Sequence, residues 1–432
     1  MDTSLSVSAW HELLCIFLPA FTAAGRPLFP KLLTGWVLAT GRHTISGIVP
    51  FADPQGEHAH DAYHYFLRAA WWFPDSLWRR WAEFAIAHWA PSGRVPLDLD
   101  DTLFHKSGRQ VAGAGWWRDA VRSTGTRTVH ALGLNLVVLT LRVQPPWGGE
   151  PLGLPINLRL HRKDGPDLLK LALELLQEVA AWLPQREFSL CADGFYAPLA
   201  GREMPRTVFT SRLRRDAALY ELPPARRAGQ RGRPRTKGAR LPTPRATAAH
   251  VQHWEKVTIT ARGRSRERWL YARQVLWYQV CGSRPVLLVI VRDPAGKEPD
   301  DFFFTTDVTT APQAVPATTA GRWSIEDTFR NVKQCLGGEE PQTWKGAGPE
   351  RAAMLGFLLY GLVWGWYLLS ARRPGLSACA THYAGKSHPS FQDALYLLRR
   401  GLWRARIFRR TEAPFVPAKK VHLLIEALAA CA

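Results

Sequence analysis

The chain has 432 residues, enough for more than one domain and for a core that folds without staples. With 46% hydrophobic and 21% charged residues it is a globular protein and not a disordered one. An excess of 56 Lys and Arg over 36 Asp and Glu gives a formal charge of +20, which fits a polyanionic partner, a nucleic acid or an acidic membrane surface alike.

Cysteines at 15, 191, 281, 335, 379 and 431 contain no CxxC pair, so neither a zinc site nor a disulfide framework is expected. The start, Met-Asp-Thr-Ser, lacks the basic and apolar pattern of a secretion signal, and a cytoplasmic, nucleoid-associated location is expected. Arg outnumbers Lys, which suits bidentate phosphate contacts.

Residues 1–92 are rich in aromatics at helical spacings, with a break at Pro74, and form a helical N-terminal region suited to holding DNA ends. His58, His60 and His64 cluster there, but no Cys or carboxylate completes a zinc spacing, and they read as surface histidines. The texture changes at Val95. VPLDLDDTL alternates like a half-buried strand, QVAGAGWWRDAV and LGLNLVVLTLRV follow as strands, PDLLKLALELLQEVAAWL is an amphipathic helix, and FSLCADGFY is a buried strand ending in a turn. That order predicts an α/β fold with a mixed sheet over residues 93–216.

Residues 217–285 form a basic loop and a β-rich insertion. The stretch ARRAGQRGRPRTKGARLPTPR has no acidic residue and repeated Gly and Pro, so it buries no core. Within it Arg231, Arg233 and Arg235 flank a Gly and a Pro, as in a short hook for the minor groove, with a solvated basic linker as the equal alternative. Trp254, Trp269 and Trp277 lie in the insertion and offer rings for a stacked base, although core positions are the commoner use of Trp.

Residues 286–372 return to the core, with strands RPVLLVIVRDP and DFFFTTDV and the helix RWSIEDTFRNVKQCL. Residues 352–371 carry no charge and have the length of a membrane span, yet arginines flank both ends, so a central helix buried on all sides is the preferred reading and no membrane is expected as a partner. Residues 373–432 form a basic helical C-terminal region.

Three carboxylates stand out. Asp101 ends the VPLDLDD strand, Asp193 directly follows FSLCA, and Glu326 borders the helical stripe Ile325, Phe329, Val332 and Leu336. Carboxylates gathered in a cleft suit Mg²⁺, which binds through a few acidic oxygens and substrate phosphate. Arg322, Glu326 and Lys333 share a helical face beside an apolar run.

Taken in order, LDLDDTLFHKSG, LCADGFYA and RWSIEDTFRNVKQCLGG resemble the insertion-sequence transposases of the DDE superfamily, in the branch with a β-rich insertion between the second Asp and the Glu. The resemblance implies a ribonuclease-H-like sheet flanked by helices. It names Asp101, chosen over Asp98 and Asp100 because it precedes a Thr, with Asp193 and Glu326, as the catalytic and metal-binding residues for two Mg²⁺ ions, with Mn²⁺ as a substitute. It gives Arg322 and Lys333 as contacts to DNA phosphates, with Thr319 where the branch has a Tyr. It also implies cleavage at transposon ends and transfer of the 3′-hydroxyl into double-stranded target DNA by a homodimer assembled on DNA. A structure-specific nuclease without strand transfer and an inactive, transposase-derived DNA-binding protein are the alternatives.

Overall fold

The computed structural model describes residues 3–225, 233–261, 264–370, 386–408 and 418–430. Five helices come first: α1 (Thr3–Cys15), α2 (Leu28–Leu38), α3 (Ile45–Ala52), α4 (His60–Arg68) and α5 (Pro74–Trp89). Pro74 opens α5, where a missing N–H costs nothing.

The sheet begins with β1 (Val95–His105), β2 (Gly115–Arg118), β3 (His130–Val143) and β4 (Leu152–His161). After α6 (Leu168–Trp182) come β5 (Phe188–Ala192) and β6 (Thr207–Arg212). Strand β3 is antiparallel to β1, whereas β1, β5 and β6 run parallel to one another. This is the ribonuclease-H-like arrangement, a mixed sheet flanked by helices. Asp167 caps α6 by accepting from the Lys170 N–H at 2.7 Å, and Leu171, Leu175, Leu176 and Val179 form its buried stripe.

The insertion does not leave the sheet. After α7 (Pro244–His250), strands β7 (Glu255–Ala261), β8 (Arg264–Leu276), β9 (Pro285–Arg292) and β10 (Asp301–Thr305) form an antiparallel meander, and β10 pairs with β6. The order is therefore β2-β3-β1-β5-β6-β10-β9-β8-β7, with β4 also on β3. Thus β9 and β10, expected in the second part of the core, belong to this extension. The segment WLYARQVLWYQV is strand only to Leu276 and closes in a helical turn, α8 (Tyr278–Cys281).

Two strands escape the sequence pattern. In β4, Pro155 and Gly153 interrupt the run, and the register shifts between Leu139 and Thr140 of its partner, the kind of irregularity that admits a proline. The six residues of β6 are too short to show a period.

Helix α9 (Ala314–Gly321) packs across β6, β10 and β7, and α10 (Ser324–Gln334) returns to β1 and β4, with Ile325, Phe329 and Val332 buried as the stripe requires. The long apolar segment is α11 (Gly348–Ser370), and it is interior. It packs on β4, α4, α5, α10, α1 and α12 (Phe391–Phe408). Gly361 and Gly365 bring it against the Trp81 ring, because a Cβ at Gly365 would stand 2.7 Å from that ring. A last helix, α13 (Ala418–Ala430), packs on α12. One continuous apolar cluster joins the N-terminal helices, the sheet, α11 and α12.

Helix ends in this core are closed by arginines from distant parts of the chain. Arg399 donates to the Val37 carbonyl at the end of α2, and Arg406 to that of Phe51 in α3. Arg351 donates to the carbonyls of Leu67, Ala70 and Trp72 beyond α4. Arg186 serves α5 through the Ala90 carbonyl, and Arg206 serves α6 through that of Ala180. Each cation meets the negative end of a helix and satisfies a carbonyl that has no partner inside it.

Candidate active site

Strand register decides which acids of β1 look the same way. In the parallel pair, Asp98 stands beside Cys191 and Leu99 beside Ala192, so the next pair in register is Asp100 with Asp193. Side chains paired across parallel strands share a face, and neighbouring strands lie ~4.8 Å apart. Asp98, Asp100 and Asp193 therefore belong to one face, and α10 covers that face. Ser324 Oγ donates to Asp98 Oδ2 at 3.4 Å, Arg322 Nη1 to Asp100 Oδ2 at 2.5 Å, and Arg322 Nη2 to Glu326 Oε1 at 3.4 Å. Asp100, Asp193, Glu326 and Arg322 come together.

Asp101 points to the opposite face by the alternation of the strand. Its Oδ1 accepts from the buried Tyr196 hydroxyl at 2.8 Å, and Asn135 is a second hydrogen-bond partner. Its own N–H donates to Asp100 Oδ1 at 2.9 Å, so the two acids are linked through the backbone. Burial raises the Asp101 carboxyl, and the Tyr196 hydrogen bond opposes that shift. Asp193 forms a tight turn, its Oδ1 accepting from the N–H groups of Phe195 and Tyr196 at 3.0 and 3.4 Å.

Electrostatics sets Asp100 apart. Burial pushes its carboxyl up to about 7; the Arg322 charge pulls it down, and Asp193, Asp101 and Glu326 push it further up. Three carboxylates, Asp100, Asp193 and Glu326, thus face a single guanidinium. Such an excess of hard oxygen donors, with no nitrogen or sulfur among them, fits Mg²⁺ or Mn²⁺. Among the described residues, the tightest group of possible ligands lies elsewhere, at Asp53, Glu57 and His58, whose donor atoms fall within 4.8 Å of one another. The Lys31 ammonium already sits there, 2.7 Å from Glu57 and 3.4 Å from Asp53. His60 and His64 are in ring contact nearby, with centroids 4.9 Å apart.

Lys333 lies two turns beyond Glu326, away from the acids. Its Nζ donates to the Leu103 carbonyl at 2.8 Å and lies 3.9 Å from Glu339. Burial lowers its pKa. An open cleft of ≈ 810 Å³ leads to Asp193 and Arg322, with Arg212, Arg266, Arg268 and Trp323 in its walls. Arg266 and Arg268 both reach Glu298, and Arg212 pairs with Asp301. Thr319 lines the same cleft and donates to the Val315 carbonyl at 3.0 Å.

Of the hook, Arg233 and Arg235 are exposed and Arg231 lies outside the described residues. The three tryptophans of the insertion are partly or fully packed: Trp254 under Arg292, Trp269 half-buried, and Trp277 buried against Phe304. The exposed rings beside the acids are instead Phe195 and Trp323. Periodicity offers no reason to single them out, whereas Asp100 is accessible from strand parity once Asp98 is taken as buried.

The chain matches the family model described as DDE superfamily endonuclease over residues 16–279, more than half its length. It belongs to that family. The match includes Asp100, Asp101 and Asp193 and ends before Glu326. No curated protein matches the chain. Among solved structures, a piggyBac transposase synaptic complex with hairpin DNA is similar over 99% of this chain and 85% of that one, with 8% identity and a TM-score of 0.42.

Proposed function

We propose that the chain is a DNA transposase that cuts phosphodiester bonds at transposon ends and joins the freed 3′-hydroxyl to target DNA. The observation that carries this reading is the shared face of Asp100 and Asp193 on neighbouring parallel strands, with Glu326 and Arg322 held above them by α10. Two Mg²⁺ ions, or Mn²⁺ in their place, would be held by Asp100, Asp193 and Glu326. When bound they activate the attacking oxygen and stabilise the leaving one. In this reading Asp100 takes the place that the motif assigns to Asp101, because strand parity puts Asp100 on the face of Asp193, and Asp101 stands behind it on Tyr196.

Arg322 bridges Asp100 and Glu326, so it holds the helix acid near the strand acids before any ion arrives. The cleft arginines would exchange their carboxylate partners for DNA phosphates, which are stronger bidentate acceptors when they arrive in a row. Arg233 and Arg235 would add contacts from the exposed basic segment, and Trp323 and Phe195 offer faces for an unstacked base at the cut. Two copies on paired ends would form the working assembly.

The test is E326Q with labelled end DNA and Mg²⁺. Cleavage should fall at least ~10³-fold while duplex binding stays within a factor of two. Full cleavage by E326Q would refute the assignment. Pre-cut ends given to the unaltered protein then separate a transposase, which joins them to a target plasmid, from a nuclease, which does not.

A further inference from the structure

Beneath the acids lies a second ion pair that the chemistry does not use. Arg142 on β3 donates through Nε to Asp98 Oδ2 at 2.9 Å and through Nη2 to Asp98 Oδ1. Asp98 is fully buried, and the Arg142 side chain is 14% exposed. The Cys191 side chain is hydrogen-bonded to the same guanidinium. Such a pair is a poor source of stability, because apolar residues of similar volume often do as well. Its geometry is more informative.

The joint between α9 and α10 rests directly on this guanidinium. A Cβ at Gly321 would stand 2.8 Å from Arg142 Nη1 and 3.1 Å from its Cζ. Three residues on, Ser324 Oγ reaches the other partner, Asp98. One turn further, Thr328 Oγ1 donates to the Gly153 carbonyl at 2.7 Å, and a Cβ at Gly153 would meet that hydroxyl at 2.9 Å. Between these fixed points lie Arg322 and Glu326.

We infer that Asp98, Arg142 and Gly321 form a seat that sets the height of α10 above the sheet, and so places Glu326 for metal binding. They are positioning residues and touch neither metal nor substrate. Because Asp98 and Cys191 grip Arg142 from below, it cannot yield, and any side chain at position 321 lifts the first turn of α10. The inference rests on the metal site proposed above.

The test is direct Mn²⁺ binding, read from the free-ion signal by electron paramagnetic resonance, on the full chain. Supporting-shell changes commonly weaken metal affinity 10–100-fold. G321A should therefore bind Mn²⁺ at least ~10-fold more weakly than the unaltered chain, with duplex DNA affinity unchanged. R142K, whose slimmer ammonium vacates the Nη1 position, should restore at least half of the loss when added to G321A. Equal Mn²⁺ binding by G321A and the unaltered chain overturns the seat, and so does a failure of R142K to rescue. If G321A alone does not fold, the double variant decides: folded and metal-binding supports the seat, unfolded overturns it. Absence of Mn²⁺ binding by the unaltered chain would instead refute the metal site itself.

Discussion

Replacing Asp100 by Asn should make the metal-free protein more stable at alkaline pH while removing its activity. In the unfolded chain this carboxyl titrates near its ordinary value of 3.8, whereas in the fold burial and three neighbouring acids push it up to about 7. Between those values the folded chain holds a proton that the unfolded chain has released. The stability that goes with the protonated form is complete below pH ~4 and is lost as pH rises through 7. A difference of about three units corresponds to ~4 kcal/mol. The amide of D100N mimics the protonated acid and does not titrate, so it should match the parent near pH 4 and exceed it by up to ~4 kcal/mol at pH 8. Urea unfolding followed by circular dichroism across that range, in chelator, measures the difference. Adding Mg²⁺ at pH 8 should raise the parent's midpoint and leave D100N where it was. If D100N is the less stable protein at pH 8, or keeps the parent's pH slope, Asp100 is not the strained acid described here.

Other consequences are open to measurement. Y196F removes the donor that opposes the raised Asp101 carboxyl, so that carboxyl should titrate at still higher pH when followed by carboxylate infrared bands; an unmoved titration would refute the role of the Tyr196 hydrogen bond. The pair R266Q/R268Q should flatten the plot of log affinity for duplex DNA against log salt by nearly two, about 0.9 for each phosphate no longer neutralised, and an unchanged slope would show that DNA bypasses this cleft. R351M strips the buried Leu67 and Trp72 carbonyls of their donor and should cost ~3 kcal/mol in unfolding experiments, since each orphaned group costs about 1–3 kcal/mol and neighbours relax in part.

Much of the fold is legible in the sequence because periodicity reports burial. The stripe of α6 and the four-three-four spacing in α10 each reflect one buried face, the apolar runs of β1 and β3 reflect strands covered on both sides, and the structure buries them accordingly. Legibility fails where burial is not periodic. β4 hides behind Pro155 and Gly153, because a register shift on β3 accommodates what a regular strand would not. In the site, Asp193 and Glu326 are visible as acids at the margins of apolar elements. A motif position favours Asp101 over Asp100, but it carries no information about which strand face each acid occupies. Parity separates the two only with knowledge that Asp98 is paired with Arg142 inside the protein. Lys333 shares a helical face with Glu326 in projection, but two turns of rise carry it to a carbonyl of β1.

The arginines that close the N-terminal helices bear on how the chain is made. On the ribosome α2, α3 and α4 emerge first, yet the residues that terminate them are Arg399, Arg406 and Arg351. Trp36 of α2 likewise donates its indole N–H to the Leu336 carbonyl at 2.7 Å. The first fifth of the protein therefore waits for the last quarter before its helix ends and apolar faces are covered. During synthesis that aromatic-rich segment leaves apolar surface exposed until α11 and α12 arrive, which is an aggregation risk. Truncation within α12 should leave it insoluble, however complete the cluster of acids is.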